Sequence, residues 1–205
     1  DDGTSAVSAN ADVAITATVA PQNDAPELTG STAFSNQVTE STAPNTGTSP
    51  QQLVTSATVA DLDLSTTAGL GISNFGAGSI TVALDSSSTG DQLTVDGSPA
   101  GIASMSGGAD GADLVINLTD TASLGQVQTI LEAIRYTHDR DTPPSGSRNF
   151  TITLSDGNNL DADNDTAGGP NLLTAVLNGS IEISAQNDLP AGADKTLTVA
   201  EDHTL

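Results

Sequence analysis

Apolar side chains recur at every second position in stretches spread along the chain: VAITATVA (13–20), SITVALD (79–85), DLVINLTD (113–120), NFTITLSD (149–156) and GSIEISAQ (179–186). Successive side chains of a strand point to opposite faces, so each stretch has one apolar and one polar face. Such faces are stable only when packed against one another. The pattern therefore predicts a folded all-β protein. It also decides against disorder, which a formal net charge of −22 with 36% apolar residues would otherwise suggest. The 205 residues are enough for one domain of roughly 150 residues, a size that buries about 70% of its unfolded surface.

Strands are expected at 34–40, 52–60, 79–84, 92–95, 113–118, 148–155 and 172–184. The pair 79–84 and 92–95 would meet across DSSSTGD, and the last two would form a hairpin closed by a long acidic loop. One segment breaks the alternation. In SLGQVQTILEAIRY (123–136), Leu124, Val127, Ile130, Leu131 and Ile134 fall at helical spacing, and Ser123 with Gln126 matches a capping box. A short helix covering an end or flank of the sheets is expected there.

Charge and composition exclude several functions. Acidic residues number 26 against 4 basic ones, and all but five of the acids are aspartate. Arg135, Arg140, Arg148 and Lys195 cannot build the cationic face that nucleic acid or an anionic membrane surface requires. No run approaches the ~18 apolar residues of a membrane-inserted helix. With no cysteine, disulfides, thiolate metal sites and cysteine nucleophiles are excluded. The chain opens on Asp1 with neither Met nor a leader-like segment, which predicts a piece of something longer.

The chain also repeats itself. ADVAITATVAPQNDAPELTG (11–30) parallels NGSIEISAQNDLPAGAD (178–194): each is an alternating strand, then Gln-Asn-Asp, then a proline two residues on. The two Gln-Asn-Asp triplets lie 164 positions apart. DDG (1–3) likewise parallels SDG (155–157), and FSNQVTE (34–40) parallels KTLTVAE (195–201). The divisions this predicts are 1–23, the last strand and linker of a preceding unit; 24–187, one complete unit; and 188–205, the linker and first strand of the next.

The QNDAPEL linker, the AIRYTHDRDTPPSGSRNFTITLSDG stretch and the LTVAEDHTL segment resemble the tandem cadherin-like repeats of giant calcium-dependent bacterial surface adhesins, of the type I-secreted, RTX-associated kind. The resemblance implies a Greek-key cadherin/Ig-like β-sandwich with the short helix carried in an insertion. It implies an extracellular, cell-surface location, with neighbouring repeats of the same chain as partners. Calcium in the linkers would rigidify the units into a stalk that projects binding domains for adhesion or biofilm formation. The unit here is longer than the usual repeat of that family, by an insertion at 85–147.

The acidic clusters fit that chemistry. Calcium takes 6–8 oxygen ligands at flexible geometry, from carboxylates, amides and backbone carbonyls. Asn23 and Asp24 lie in the first linker, Asn187 and Asp188 in the second, and Glu40 ends the first expected strand. Asp61 and Asp63 form Asp-x-Asp, and Asp139 and Asp141 flank Arg140. By the resemblance, Glu40, Asp139, Asp141, Asn187 and Asp188 would close one site at the C-terminal linker, and Asp61 and Asp63 would join Asn23 and Asp24 at the N-terminal one. A looser calcium loop is expected around Asp156, Asp161, Asp163 and Asp165. Their spacing begins like an EF-hand but lacks its Gly at position six and Glu at position twelve. Isolated acids such as Asp85, Asp91 and Asp194 are read as turn formers or solvated charges.

Catalysis has little support. His138 and His203 are the only histidines, and His138 reads as a polar residue at a strand end. Ser and Asp are so abundant that a drawn triad carries no information. The sequence thus predicts a structural and interaction module, not an enzyme. Its alternative is a calcium-dependent carbohydrate- or peptide-binding domain of the same kind of adhesin, with the insertion supplying the grip.

Overall fold

Alternation translates directly into strands. In the computed structural model, residues 25–43, 46–61, 75, 78–157, 174–188 and 192 are described, and every statement below concerns them. Eleven strands and one helix follow in the order β1 (Glu27–Ser31), β2 (Ala33–Thr39), β3 (Gln51–Gln52), β4 (Thr55–Ala60), β5 (Ser79–Leu84), β6 (Asp91–Val95), β7 (Ile102–Gly107), β8 (Leu114–Leu118), α1 (Leu124–Ala133), β9 (Ile134–His138), β10 (Gly146–Ser155) and β11 (Thr174–Ser184). The protein is mostly strand with one helix, as the alternation requires.

Three sheets share one core. β1 and β4 form a two-stranded sheet; β2-β11-β10-β5-β8-β7 form a six-stranded one; β3-β9-β6 form a third. Their inward residues, among them Leu28 and Val59, Val82, Ile116, Ile152 and Leu154, and Leu93 and Tyr136, belong to a single apolar cluster. The expected final hairpin is present: β10 and β11 pair antiparallel over ten residues, from Gly146↔Ile183 to Ser155↔Thr174. The expected pairing of 79–84 with 92–95 is not. β5 pairs with β10 and β8, whereas β6 pairs with β9 in another sheet. The intervening turn ends on Asp91, which faces the interior, where Tyr136 and Arg148 meet it.

The expected strand over 52–60 is interrupted. Leu53 and Val54 are both wholly buried, so two consecutive side chains face inward and alternation cannot continue through them. The helix starts where the capping box places it: Gln126 N donates to Ser123 Oγ (3.3 Å) and Ser123 N to Gln126 Oε1 (2.9 Å). It ends earlier than expected, at Ala133. Ile134, Tyr136 and His138 then alternate inward as β9. The helix flanks β4, where Glu132 Oε1 accepts from the backbone N–H of Ala57 at 2.9 Å.

The register also fixes where the chain enters and leaves. β2 runs parallel to the second half of β11, with Ala33↔Ser180 and Thr39↔Ser184. Upstream, Thr32 Oγ1 donates to Asn178 O (2.9 Å), and a Cβ on Gly30 would touch the Leu177 side chain at 3.4 Å. β1 and β2 therefore follow β11 as one line. Glu27 lies at the end where β11 begins and β10 finishes, and Glu40 and Asp188 lie at the opposite end.

Candidate metal centre

The exit end gathers three carboxylates from distant parts of the sequence. The parallel pairing of β2 with β11 brings Glu40 beside the segment after Ser184. Glu40 N donates to Ser184 O (3.1 Å), and Gln186 N donates back to Glu40 Oε2 (2.8 Å). A second set of bonds brings in the loop after β9. Glu40 bridges Thr48, Thr48 N donates to His138 O (2.8 Å), and His138 N donates to Thr48 Oγ1 (2.7 Å). Three residues past His138, Asp141 reaches the same place. One carboxylate oxygen from each of Glu40, Asp141 and Asp188 lies within 4.8 Å of the others.

Burial makes this grouping costly without a cation. Glu40 is 3% exposed, and its Oε1 is buried with no hydrogen-bond partner. Asp188 is partly exposed as a residue, yet its Oδ1 is buried and also unpartnered. Desolvation pushes the Asp188 carboxyl above its usual range, and the hydrogen bond to Asp141 and the charges of Asp141 and Glu40 push the same way. Buried charged oxygens are normally paired or bound to metal. An all-carboxylate donor set suits a hard cation, and nothing here supplies the nitrogen or sulfur that a softer metal prefers. The residues present fit a hard cation such as calcium: one oxygen from each of three carboxylates, with further positions open to carbonyls and water.

The other residues expected at this end stand outside the trio. Asn187 is exposed, and its amide donates to Asp188 O at 3.4 Å. Asp139 accepts from Gln92 Nε2 at 3.0 Å. At the entry end, Asp61 follows β4 beside the start of β1 and is 6% exposed, while Asp156 follows β10 and is 1% exposed. Both acids expected near the N-terminal linker and the 156–165 loop are thus buried. Asn23, Asp24, Asp63, Asp161, Asp163 and Asp165 lie outside the described residues.

The sequence reading missed a second buried polar group, which holds the scaffold of the first. Asp91, expected as a turn former or solvated charge, is fully buried. It does cap its turn, accepting from Ser88 N (2.6 Å) and Ser88 Oγ (3.0 Å). It also accepts from Tyr136 Oη (2.7 Å) and stands 3.5 Å from Arg148 Nε. Burial, then the hydrogen bond and charge of Asp91, push the Tyr136 phenol above its ordinary range. These contacts tie β6, β9 and β10 together just before β9 delivers the 139–141 loop. The signal was available as parity: Asp91 shares its face with Leu93, and Arg148 with Phe150, Ile152 and Leu154. His138 ends β9 as expected of a polar strand-end residue, and it is buried there.

Gly90 completes the packing over this loop. Its φ is +103°, and a Cβ there would stand 2.8 Å from Arg140 Cγ and 2.9 Å from His138 Nε2. Arg140 itself makes an exposed ion pair with Asp110 at 3.5 Å. Comparison with family models, curated proteins and solved structures finds no match to the chain.

Proposed function

We propose that the chain is a calcium-rigidified extender repeat of a bacterial cell-surface adhesin, and not an enzyme. The observation that supports this most is the buried, unpartnered Glu40 Oε1 beside Asp141 and Asp188 at the exit end. The residues from 24 to 187 form a Greek-key, cadherin-like unit in this reading. Calcium held by Glu40, Asp141 and Asp188 fixes the direction of the chain as it leaves that unit. Asp61 and Asp156, buried at the entry end, belong to the corresponding junction with the preceding unit. The arrangement is polar: one line of chain enters at one end and leaves at the other, as a head-to-tail stalk needs. Calcium is abundant outside cells, so an affinity on the order of 10⁻⁴–10⁻³ M suffices to keep the junction occupied.

The alternative is a calcium-dependent carbohydrate- or peptide-binding domain of the same adhesin. It requires the cation to keep coordination positions open to a ligand. Calorimetric titration of the full chain with calcium, and separately with magnesium, tests the main reading. Calcium-selective binding that is lost in Asp141→Asn supports it. Absence of any calcium heat contradicts it.

A further inference from the structure

The core face of the six-stranded sheet runs out to an uncovered edge. Leu154, Ile80, Ile116 and Met105 are successive cross-strand partners on β10, β5, β8 and β7, so they stand in one row on one face. The first three are fully buried, whereas Met105 is 51% exposed. The layer that covers Ile116 therefore stops short of β7. β7 is also an outer strand of its sheet, so the apolar row ends on an open side chain at an open edge.

The backbone of β7 is open on the same side. Gly108 N donates to Asp113 O at 3.0 Å, and the register continues as Gly107↔Leu114, Ser106↔Val115, Met105↔Ile116 and Ser104↔Asn117. Bonded and non-bonded pairs alternate along an antiparallel ladder. Ser106 and Ser104 thus bond to β8, and the N–H and C=O of Met105 point away from it. Edge strands are ordinarily guarded by charge, proline or a bulge. The register shift between Ile102 and Ser104 is such a device, but pairing is regular from Ser104 to Gly107. From Gly97 to Ala109 the chain carries no charge, although acids outnumber bases 26 to 4, and β7 itself holds no proline.

We propose that β7 pairs antiparallel with β7 of a second copy of this chain, about a two-fold axis at Met105. The edge selects that occupant. It calls for a strand with outward N–H and C=O groups at its centre, an apolar side chain to stand opposite Met105, and no charge to be stranded against a neutral strip. β7 of a second copy meets all three, and the symmetry sets Met105 against Met105 on the core-side face. A cationic segment, which a chain of formal net charge −22 attracts in general, finds no acid on β7 to pair with. Repulsion between the two acidic bodies is screened beyond about 8 Å at physiological salt. Antiparallel pairing reverses one copy relative to the other. On the extender reading the two stalks then run in opposite directions, as chains reaching from facing surfaces do; the pairing itself does not rest on that reading.

One pair of short strands buries less than the roughly 1,200 Å² of a stable interface, so the test captures the pair covalently. The chain has no cysteine, which makes single-cysteine variants unambiguous. In the pair, the two Met105 Cα atoms stand about 5.5 Å apart, within disulfide range. Ser106 lies opposite Ser104 of the copy and is too far from its own counterpart to be bridged. The full chains carrying Met105→Cys, Ser106→Cys or Val176→Cys are oxidised with glutathione disulfide at equal concentration in physiological salt, and the dimer is followed on non-reducing gels. Val176 on β11 is as exposed as Met105, at 51%, and reports random collision. Met105→Cys should dimerise about tenfold faster or more than either control, because pairing makes the second step intramolecular. Equal rates for the three, or faster capture through Ser106 or Val176, overturn the proposal. A second readout leaves the sequence intact. Met105 is the only methionine, and peroxide converts it to a polar sulfoxide. Concentration-dependent NMR shifts at residues 102–107 of the parent chain should disappear on that oxidation; shifts that persist through it contradict the pairing.

Discussion

The backbone N–H of Gln186 donates to Glu40 Oε2 at 2.8 Å, a contact spanning 146 positions of sequence. It satisfies one oxygen of a buried carboxylate and leaves the other, Oε1, without a partner beside Asp141 and Asp188. One half of the side chain thus works as a clamp between the ends of β2 and β11. The other half faces two like charges, a repulsion that a bound cation, or a proton on Asp188, would relieve.

Glu40→Gln separates these two roles. The carboxamide oxygen still accepts from Gln186 N, while the charge is lost. In chelator the variant should be at least as stable as the parent, because the repulsion within the trio falls. Its gain from calcium should shrink sharply. A single site held at 100 times its Kd contributes about 2.7 kcal/mol, and most of that should disappear. Denaturant unfolding with and without calcium measures both effects.

The sign of the pH dependence follows from Asp188. Its carboxyl is held above its ordinary value in the folded chain, so folding favours the protonated form. That contribution is complete below the ordinary carboxyl value and is lost as pH rises through the elevated one. In chelator, stability should therefore fall between mildly acidic and neutral pH, and Asp188→Asn should flatten the slope. In calcium the slope should reverse over the same interval, because protons compete with the cation for the carboxylates. Thermal melts at several pH values in each condition check this.

The Asp91 group supports the fold rather than the cation. Asp91→Ala leaves Arg148, 8% exposed, without its counter-charge, and should cost about 3–5 kcal/mol. Tyr136→Phe removes one buried hydrogen bond and should cost about 1–2 kcal/mol. Tyr136 is the chain's only tyrosine, so alkaline ultraviolet titration reports on it alone. Its phenolate should be absent through the ordinary phenol range and appear together with unfolding.

Much of the fold was legible because alternation is a local signal. β5, β8 and the β10–β11 hairpin could be placed from spacing alone, and the capping box located the start of α1. Strand pairing was less accessible. β6 follows β5 across a short turn, yet it joins a different sheet, where Asp91 meets Tyr136 of β9 in the interior. The helical spacing of Leu124, Val127, Ile130, Leu131 and Ile134 carries through Ile134, while the alternation of β9 begins at that same residue, so the boundary fell inside one apparent helix. At the metal centre, Glu40, Asp141 and Asp188 were identified as acids of the right kind, with the resemblance to adhesin repeats grouping them. Asp139, grouped with them by the same resemblance, accepts a hydrogen bond from Gln92 on β6.

Gly47 offers a backbone test of the site. A Cβ at this position would stand 1.8 Å from His138 O, in the segment that joins Glu40 to the loop bearing Asp141. Gly47→Ala should force that segment away from β9 and weaken calcium binding by about tenfold or more, a shift near 1.4 kcal/mol or beyond. The variant also keeps all three carboxylates. Calorimetric titration with calcium measures the loss.

The central claim is that a divalent cation holds Glu40, Asp141 and Asp188 together. Thermal unfolding of the 205-residue chain in chelator, and then across a calcium titration with magnesium as control, tests it most directly. The account predicts a large calcium-specific rise in Tm that Asp188→Asn reduces and magnesium does not reproduce. A Tm unchanged by calcium would contradict it, leaving the three carboxylates as a repulsive cluster with no ion to relieve it.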